Sequence, residues 1–162
     1  MNLPQDILND IMKHIDDLPT LICYCNVNKE TLVLYSSQYY WYFKLDKYYL
    51  PRPTTILTLS QWFKLYDFIL RIDKWLIQKK TSISLYFNNI SEDKIMPLIM
   101  KYDGYIRPNY NNDREYKLSH IYITHNTEYY FVTICYSHMQ YTGGIFNKKD
   151  LFQFLYQLEL LN

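Results

Sequence analysis

The sequence predicts an α+β fold: an N-terminal three-helix module, a further helix, a small antiparallel sheet and a C-terminal helix. Three observations predict it. Apolar residues recur at three- and four-residue spacing through residues 3–77, which is the period of a helix packed on one side. After Thr81 the period drops to two, as Ile83, Leu85 and Phe87 alternate with Ser82, Ser84 and Tyr86. Helices first and strands later, closed by one more helix, is the order of an α+β chain rather than of βαβ units. At 162 residues, 49% hydrophobic and 20% charged, the chain holds enough apolar material for one domain or two small ones.

Each element has a local cause. Pro4 suits a first helical turn, where its missing N–H costs nothing, and Ile7, Leu8, Ile11 and Ile15 follow at helical spacing, predicting a helix near 4–14. Asp16 and Asp17 break that pattern and offer an N-cap for a short helix near 18–25. A third segment, near 29–49, carries Leu32, Val33, Tyr35, Tyr40, Trp41, Phe43 and Leu45, with Ser36 and Ser37 as the place where it could be interrupted. Pro51 and Pro53 remove donors and push their predecessors toward extended backbone, so a boundary is expected there. Ser60 is read as the cap of a helix near 60–77, on which Phe63, Tyr66, Ile69, Leu70 and Asp73 step round. The expected organisation is therefore a module over 1–50, a proline-containing linker over 51–58 and an α+β domain over 59–162.

In that last region a strand is expected over 82–87. Ser91, Glu92 and Asp93 start a short helix toward Lys101, with Pro97 inside it. Residues 104–117 are polar, rich in Asn and Tyr, and read as a loop. Strands over 119–124 and 128–137 meet in a hairpin at His125, Asn126 and Thr127. Gly143 and Gly144 read as a turn or bulge. Asn147 caps a helix near 148–160, with Asp150 at its positive end and Leu151, Phe154, Leu155 and Leu158 as its buried stripe.

Composition narrows the function. The net charge is +1, and both halves are balanced, so the footprint of a dedicated nucleic-acid binder is missing. No run of ~18 consecutive apolar residues predicts a membrane span. The start, Met1 to Asp6, has no basic segment of the secretory kind, and three cysteines form no disulfide framework, so an intracellular setting, cytoplasmic or nuclear, is expected. There are 19 tyrosines, only 3 glycines and no alanine, the bias of A/T-rich codons. Tyrosine must then fill many half-buried positions.

The groups that could carry chemistry do not assemble into a recognisable centre. Cys23 and Cys25, with His14 nearby, lack the spacing of a zinc knuckle, and positions i and i+2 of a helix face apart. His120, His125 and His138 lie in or beside the expected hairpin, near Cys135, but no Gly-rich elbow or helix N-terminus flanks that thiol, and His120 and Cys135 need not share a face. Asp16–Asp17 and Glu92–Asp93 are explained as helix starts. With glycine only at 104, 143 and 144 there is no phosphate-binding loop. The tyrosines and lysines of 39–49 read as packing rather than as a stacking surface for single strands. No enzyme, cofactor or metal is expected.

One stretch says more. Leu3, Pro4, Asp6, Ile7, Leu8 and Ile11, then Asp17, Leu18 and Leu21, then Asn26, Val27, Asn28 and Lys29, then Trp41, together resemble an F-box over roughly residues 3–50. The chain departs from that pattern at Asn28, where Ser or Cys is usual, and at Glu30, Thr31 and Leu32, which replace a basic–aromatic pair. With its A/T-rich composition the chain is similar to F-box-like proteins of giant DNA viruses and poxvirus relatives, which would place it in a host cell. The resemblance implies an adaptor that docks on the Skp-type subunit of a cullin-based SCF ubiquitin ligase and presents a target, not identified by the sequence, through the remainder of the chain. Leu3, Pro4, Ile7, Leu8 and Leu21 are the expected partner-binding residues, and Ile11, Val27 and Trp41 the module's own core. The alternative expectation is a non-enzymatic structural or assembly protein, such as a virion component, whose first helices only resemble an F-box.

Overall fold

A computed structural model describes residues 4–27, 29–78, 82–101, 117–126, 128–136 and 139–162. The elements run α1 (Gln5–His14), α2 (Leu18–Val27), α3 (Lys29–Ser36), α4 (Gln38–Asp46), α5 (Leu59–Gln78), β1 (Ser82–Ser91), α6 (Glu92–Met100), β2 (Lys117–His125), β3 (Tyr130–Tyr136), β4 (Met139–Phe146) and α7 (Lys148–Leu161). The α+β order is as expected. Compactness divides the chain within α5, at Phe68/Ile69, rather than at the prolines.

The first unit, residues 1–68, is a helical module built on aromatic rings. The expected segment 29–49 is two helices, because Ser37 leaves the helical conformation with ψ 127°. Asp17 caps α2, its carboxylate accepting from the Thr20 N–H at 2.9 Å. Thr31 is buried and donates from its hydroxyl to the Tyr24 carbonyl at 2.8 Å, tying α3 to α2. At the centre Trp41 stacks on Trp62, the ring centroids 5.6 Å apart and the planes within 5° of parallel. Phe63 and Tyr66 meet Trp41 edge-on.

Residues 51–58, expected as a linker, fall within this first unit. They lie against the module: Pro53 is buried, the Arg52 guanidinium sits 4.9 Å from the Tyr42 ring centroid, and Gln38 Nε2 donates to the Leu57 carbonyl at 2.9 Å. The first half of α5 then completes the aromatic core. Its cap is Thr58 rather than Ser60. The Thr58 N–H donates to Gln61 Oε1 at 2.8 Å while the Gln61 N–H donates to Thr58 Oγ1 at 3.3 Å, a reciprocal capping box.

Helix α4 ends in a Schellman arrangement. The Leu50 N–H reaches back to the Leu45 carbonyl at 3.2 Å and the Tyr49 N–H to the Asp46 carbonyl at 3.1 Å. This geometry puts Tyr49 at φ 55°, where glycine is usual.

The second unit, residues 69–162, holds a four-stranded antiparallel sheet in the order β1-β2-β3-β4. One face carries Leu85, Ile121, Ile123, Val132, Ile134, Tyr130 and Phe146, all buried. Leu151, Phe154, Leu155 and Leu158 of α7 are buried as expected, and Phe154 meets Phe146 at 5.1 Å between centroids. Asn147 caps α7, accepting from the Asp150 N–H at 2.9 Å. The Trp75 ring of α5 lies 5.7 Å from that of Tyr130. The turn after β2 is closed by Asn126, whose Oδ1 accepts from the N–H groups of Glu128 and Tyr129 at 3.0 and 2.8 Å. Thr127 lies outside the described residues, as does 104–116 of the expected loop; Lys117 already belongs to β2.

Two differences from expectation share one cause. β1 runs on to Ser91, past a register shift between Tyr86 and Ile90. β4 was not expected as a strand at all: Val132 pairs with Gly144 and Thr133 with Thr142, which leaves Gly143 as a bulge residue and Gly144 at φ 127°. Each irregularity breaks the two-residue period by which a strand is recognised.

Candidate partner-docking face

α1 is amphipathic. It packs on α4. Ile7 and Ile11, four residues apart and therefore on one side, are 48% and 40% exposed, and Pro4 ahead of them is exposed too. Lys13 and His14 stand in the last turn, where positive charge suits the helix dipole. The contact of Lys13 with Asp10, at 3.2 Å, is exposed on both sides and adds little.

Of the expected docking residues, Pro4 and Ile7 are thus on an open apolar stripe. Leu3 and the side chain of Leu8 lie outside the described residues. Leu21 is corrected: it is wholly buried, because α2 turns it into the module's interior, and it cannot meet a partner. Ile11 is corrected in the opposite sense. It shares the open side of α1 with Ile7 and is not core. Trp41 is core, as expected, and the Val27 side chain lies outside the described residues.

The expectation missed Lys44. Its side chain is 1% exposed, and the ammonium reaches the Ile15 carbonyl at 2.6 Å, the Lys13 carbonyl at 2.8 Å and Asp16 Oδ1 at 3.3 Å. The rings of Tyr40 and Tyr66 flank it, their centroids 5.8 and 5.9 Å away. Asp16 also accepts from Lys47 at 2.6 Å. Burial raises the Asp16 carboxyl, but the hydrogen bonds from Lys47 and Lys44 outweigh it and hold the group below its ordinary range. Burial lowers the Lys44 ammonium, and Asp16 offsets that only in part. The signal for Lys44 was its spacing: Tyr40, Trp41, Lys44 and Leu45 fall on one buried stripe of α4. Beside it a cavity of about 270 Å³ opens, walled by Lys13, His14, Phe43 and Lys47.

The nucleophile and metal candidates are placed as follows. His120 and Cys135, whose sharing of a face the sequence left open, do share one as direct partners across β2 and β3. Burial raises the Cys135 thiol above its ordinary value and pushes Cys25 up to about 11, so both are thiols rather than thiolates at neutral pH. Ser119 is the extra residue of a bulge in β2, and its hydroxyl donates to the Cys135 carbonyl at 2.9 Å and lies 2.9 Å from His120 Nδ1. His125 pairs with Tyr130 on the buried face, ring centroids 4.5 Å apart. His138 lies outside the described residues. Among the described residues no group of three or more His, Cys, Asp or Glu is placed to hold a metal ion, and no helix is long and apolar enough to cross a membrane.

Comparison with protein-family models, with curated proteins and with solved structures finds no match for this chain.

Proposed function

We propose that this protein is a non-enzymatic adaptor of the F-box type. It docks through α1 on the Skp-type subunit of an SCF ubiquitin ligase inside a host cell and presents a target protein through its α+β portion. The observation that carries the reading is the bare stripe of Pro4 and Ile7. An adaptor needs these side chains open in the isolated chain, whereas a self-contained structural domain would cover them. The module keeps a core of its own around Trp41, so α1 offers its free side from a folded support. Recognition of this kind is helix-in-groove: a few apolar anchors at helical spacing enter a complementary surface, and truncating one costs ~2 kcal/mol or more.

The test is Ile7→Glu in the full chain, measured against purified Skp-type subunit. Loss of binding by about thirtyfold or more is expected. The thermal transition should hardly move, because Ile7 is already 48% exposed. Wild-type protein that binds no Skp-type subunit would sink the adaptor reading and leave a structural or assembly role in its place.

A further inference from the structure

The three protons of a lysine ammonium can each serve one acceptor. Lys44 has three: the Lys13 and Ile15 carbonyls and the Asp16 carboxylate. None is left for a ligand. Lys13 belongs to the last turn of α1 and Ile15 directly follows it, so these carbonyls are among those a helix end leaves without an intrahelical donor. The ammonium of α4 therefore acts as the C-terminal cap of α1, supplied from 29 and 31 residues further along the chain. Asp16 locks the arrangement from outside, bridging Lys44 to Lys47.

The open side of α1 makes this anchor matter. Two of its apolar residues, Ile7 and Ile11, are near half-exposed, so they give the helix only part of the hold that full burial would. Directional bonds at one end must then supply orientation that burial does not. A ten-residue helix is about 15 Å long. A tilt of about 10° about its C-terminal end would carry Pro4 and its neighbours about 2.6 Å sideways. That is several times the ~0.5 Å within which binding constellations must be held.

We propose that Lys44 is the positioning residue of the docking face: by capping α1 from α4 it fixes the angle at which Pro4 and Ile7 meet a partner, without touching that partner itself. The role in docking rests on the adaptor reading; the anchoring of α1 does not.

The experiment compares wild type, Lys44→Met, Leu45→Ala and Ile7→Glu as full chains. It reads amide hydrogen exchange segment by segment and affinity for purified Skp-type subunit. Lys44→Met keeps the apolar stem and removes the donors. Exchange across residues 5–14 should rise at least tenfold, while α3, α4 and β1–β4 keep their protection, and affinity should fall at least tenfold with every docking side chain still present. Leu45→Ala, from a buried neighbour on the same helix, marks the pattern of a merely structural role: exchange rising across the whole first unit with no preference for α1. Ile7→Glu should lose binding with α1 still protected.

Unchanged exchange of α1 in Lys44→Met overturns the proposal. So does a rise spread evenly over the first unit, as in Leu45→Ala, or failure of the variant to fold, since each makes Lys44 a general core residue. Selective loosening of α1 with undiminished affinity also overturns it, because the face would then not depend on the anchor. If wild type binds no Skp-type subunit, the adaptor reading and with it the docking role fail, and the exchange data decide separately whether Lys44 holds α1.

Discussion

The Trp41–Trp62 stack offers a paired perturbation whose two halves should differ. Both rings are 1% exposed and lie parallel at 5.6 Å. Their N–H groups are not equivalent. Trp41 Nε1 donates to the Tyr35 carbonyl at 2.7 Å, whereas Trp62 Nε1 is buried with no partner among the described residues. Replacing either by Phe removes similar ring volume. In Trp41→Phe the Tyr35 carbonyl also loses one hydrogen bond, at about 0.5–1.5 kcal/mol. In Trp62→Phe an unsatisfied N–H disappears, a relief of about 1–3 kcal/mol. Trp41→Phe should therefore be the more destabilising by at least ~1 kcal/mol. Trp41→Ala should cost about 3–5 kcal/mol, much of the roughly 3–10 kcal/mol that a unit of residues 1–68 holds. Urea titrations followed by far-ultraviolet circular dichroism would measure all three. Equal costs for the two Phe variants, or a cheaper Trp41→Phe, would refute the assignment of unequal hydrogen bonding to the stack.

Two further perturbations probe the same module. Tyr49→Gly should stabilise it by about 1 kcal/mol, since a side chain held in the left-handed region costs about 1–2 kcal/mol and Tyr49 is largely exposed; a urea midpoint that stays or falls at constant slope would count against the strain. Tyr35, Tyr40 and Tyr66 are all pushed upward by burial, so the folded state favours their neutral form. Their contribution is fully present below the ordinary tyrosine value near 10 and is lost as pH rises above it toward the raised folded values. Tyrosinate absorbance should accordingly rise in two parts, the second coinciding with loss of helix; a single smooth titration of all tyrosines with the fold intact would contradict this.

Most elements were legible because their signals are local. α7 announced itself through Asn147, Asp150 and a stripe at 3.6 spacing, and α5 through its periodic aromatics. β4 was not, because Gly143 adds a residue to one strand, and one extra residue reverses which face each neighbour occupies. The tertiary facts were hidden for a different reason. Pro51 and Pro53 do interrupt helices, but only the meeting of Trp41 with Trp62 reveals that the chain beyond them still belongs to the first unit. The amphipathicity of α1 shows that it has an apolar side without showing which residues are covered, so Ile11 and Leu21 exchanged roles. Lys44 sat in plain view on a buried stripe. Its charge argued against burial, and only the uncapped carbonyls at the end of α1, some thirty residues away, explain why the charge is accepted there.

Helices held mainly by burial and helices held by directional bonds differ in what they leave free. Fully burying an isoleucine contributes about 1.5–3 kcal/mol, so leaving Ile7 and Ile11 near half-exposed forgoes about 2 kcal/mol of support for α1. A hydrogen bond to a charged group contributes about 1.5–3 kcal/mol net of the water contacts it replaces. The three bonds of Lys44 therefore offset what the half-covered stripe gives up. The exchange changes the character of the support. Apolar burial is tolerant of angle, while bonds to two fixed carbonyls and a carboxylate are not. A helix that must keep its apolar side bare and still present it at one angle is better anchored through Lys44 than through a larger core, and a lysine inside an aromatic cluster is the consequence.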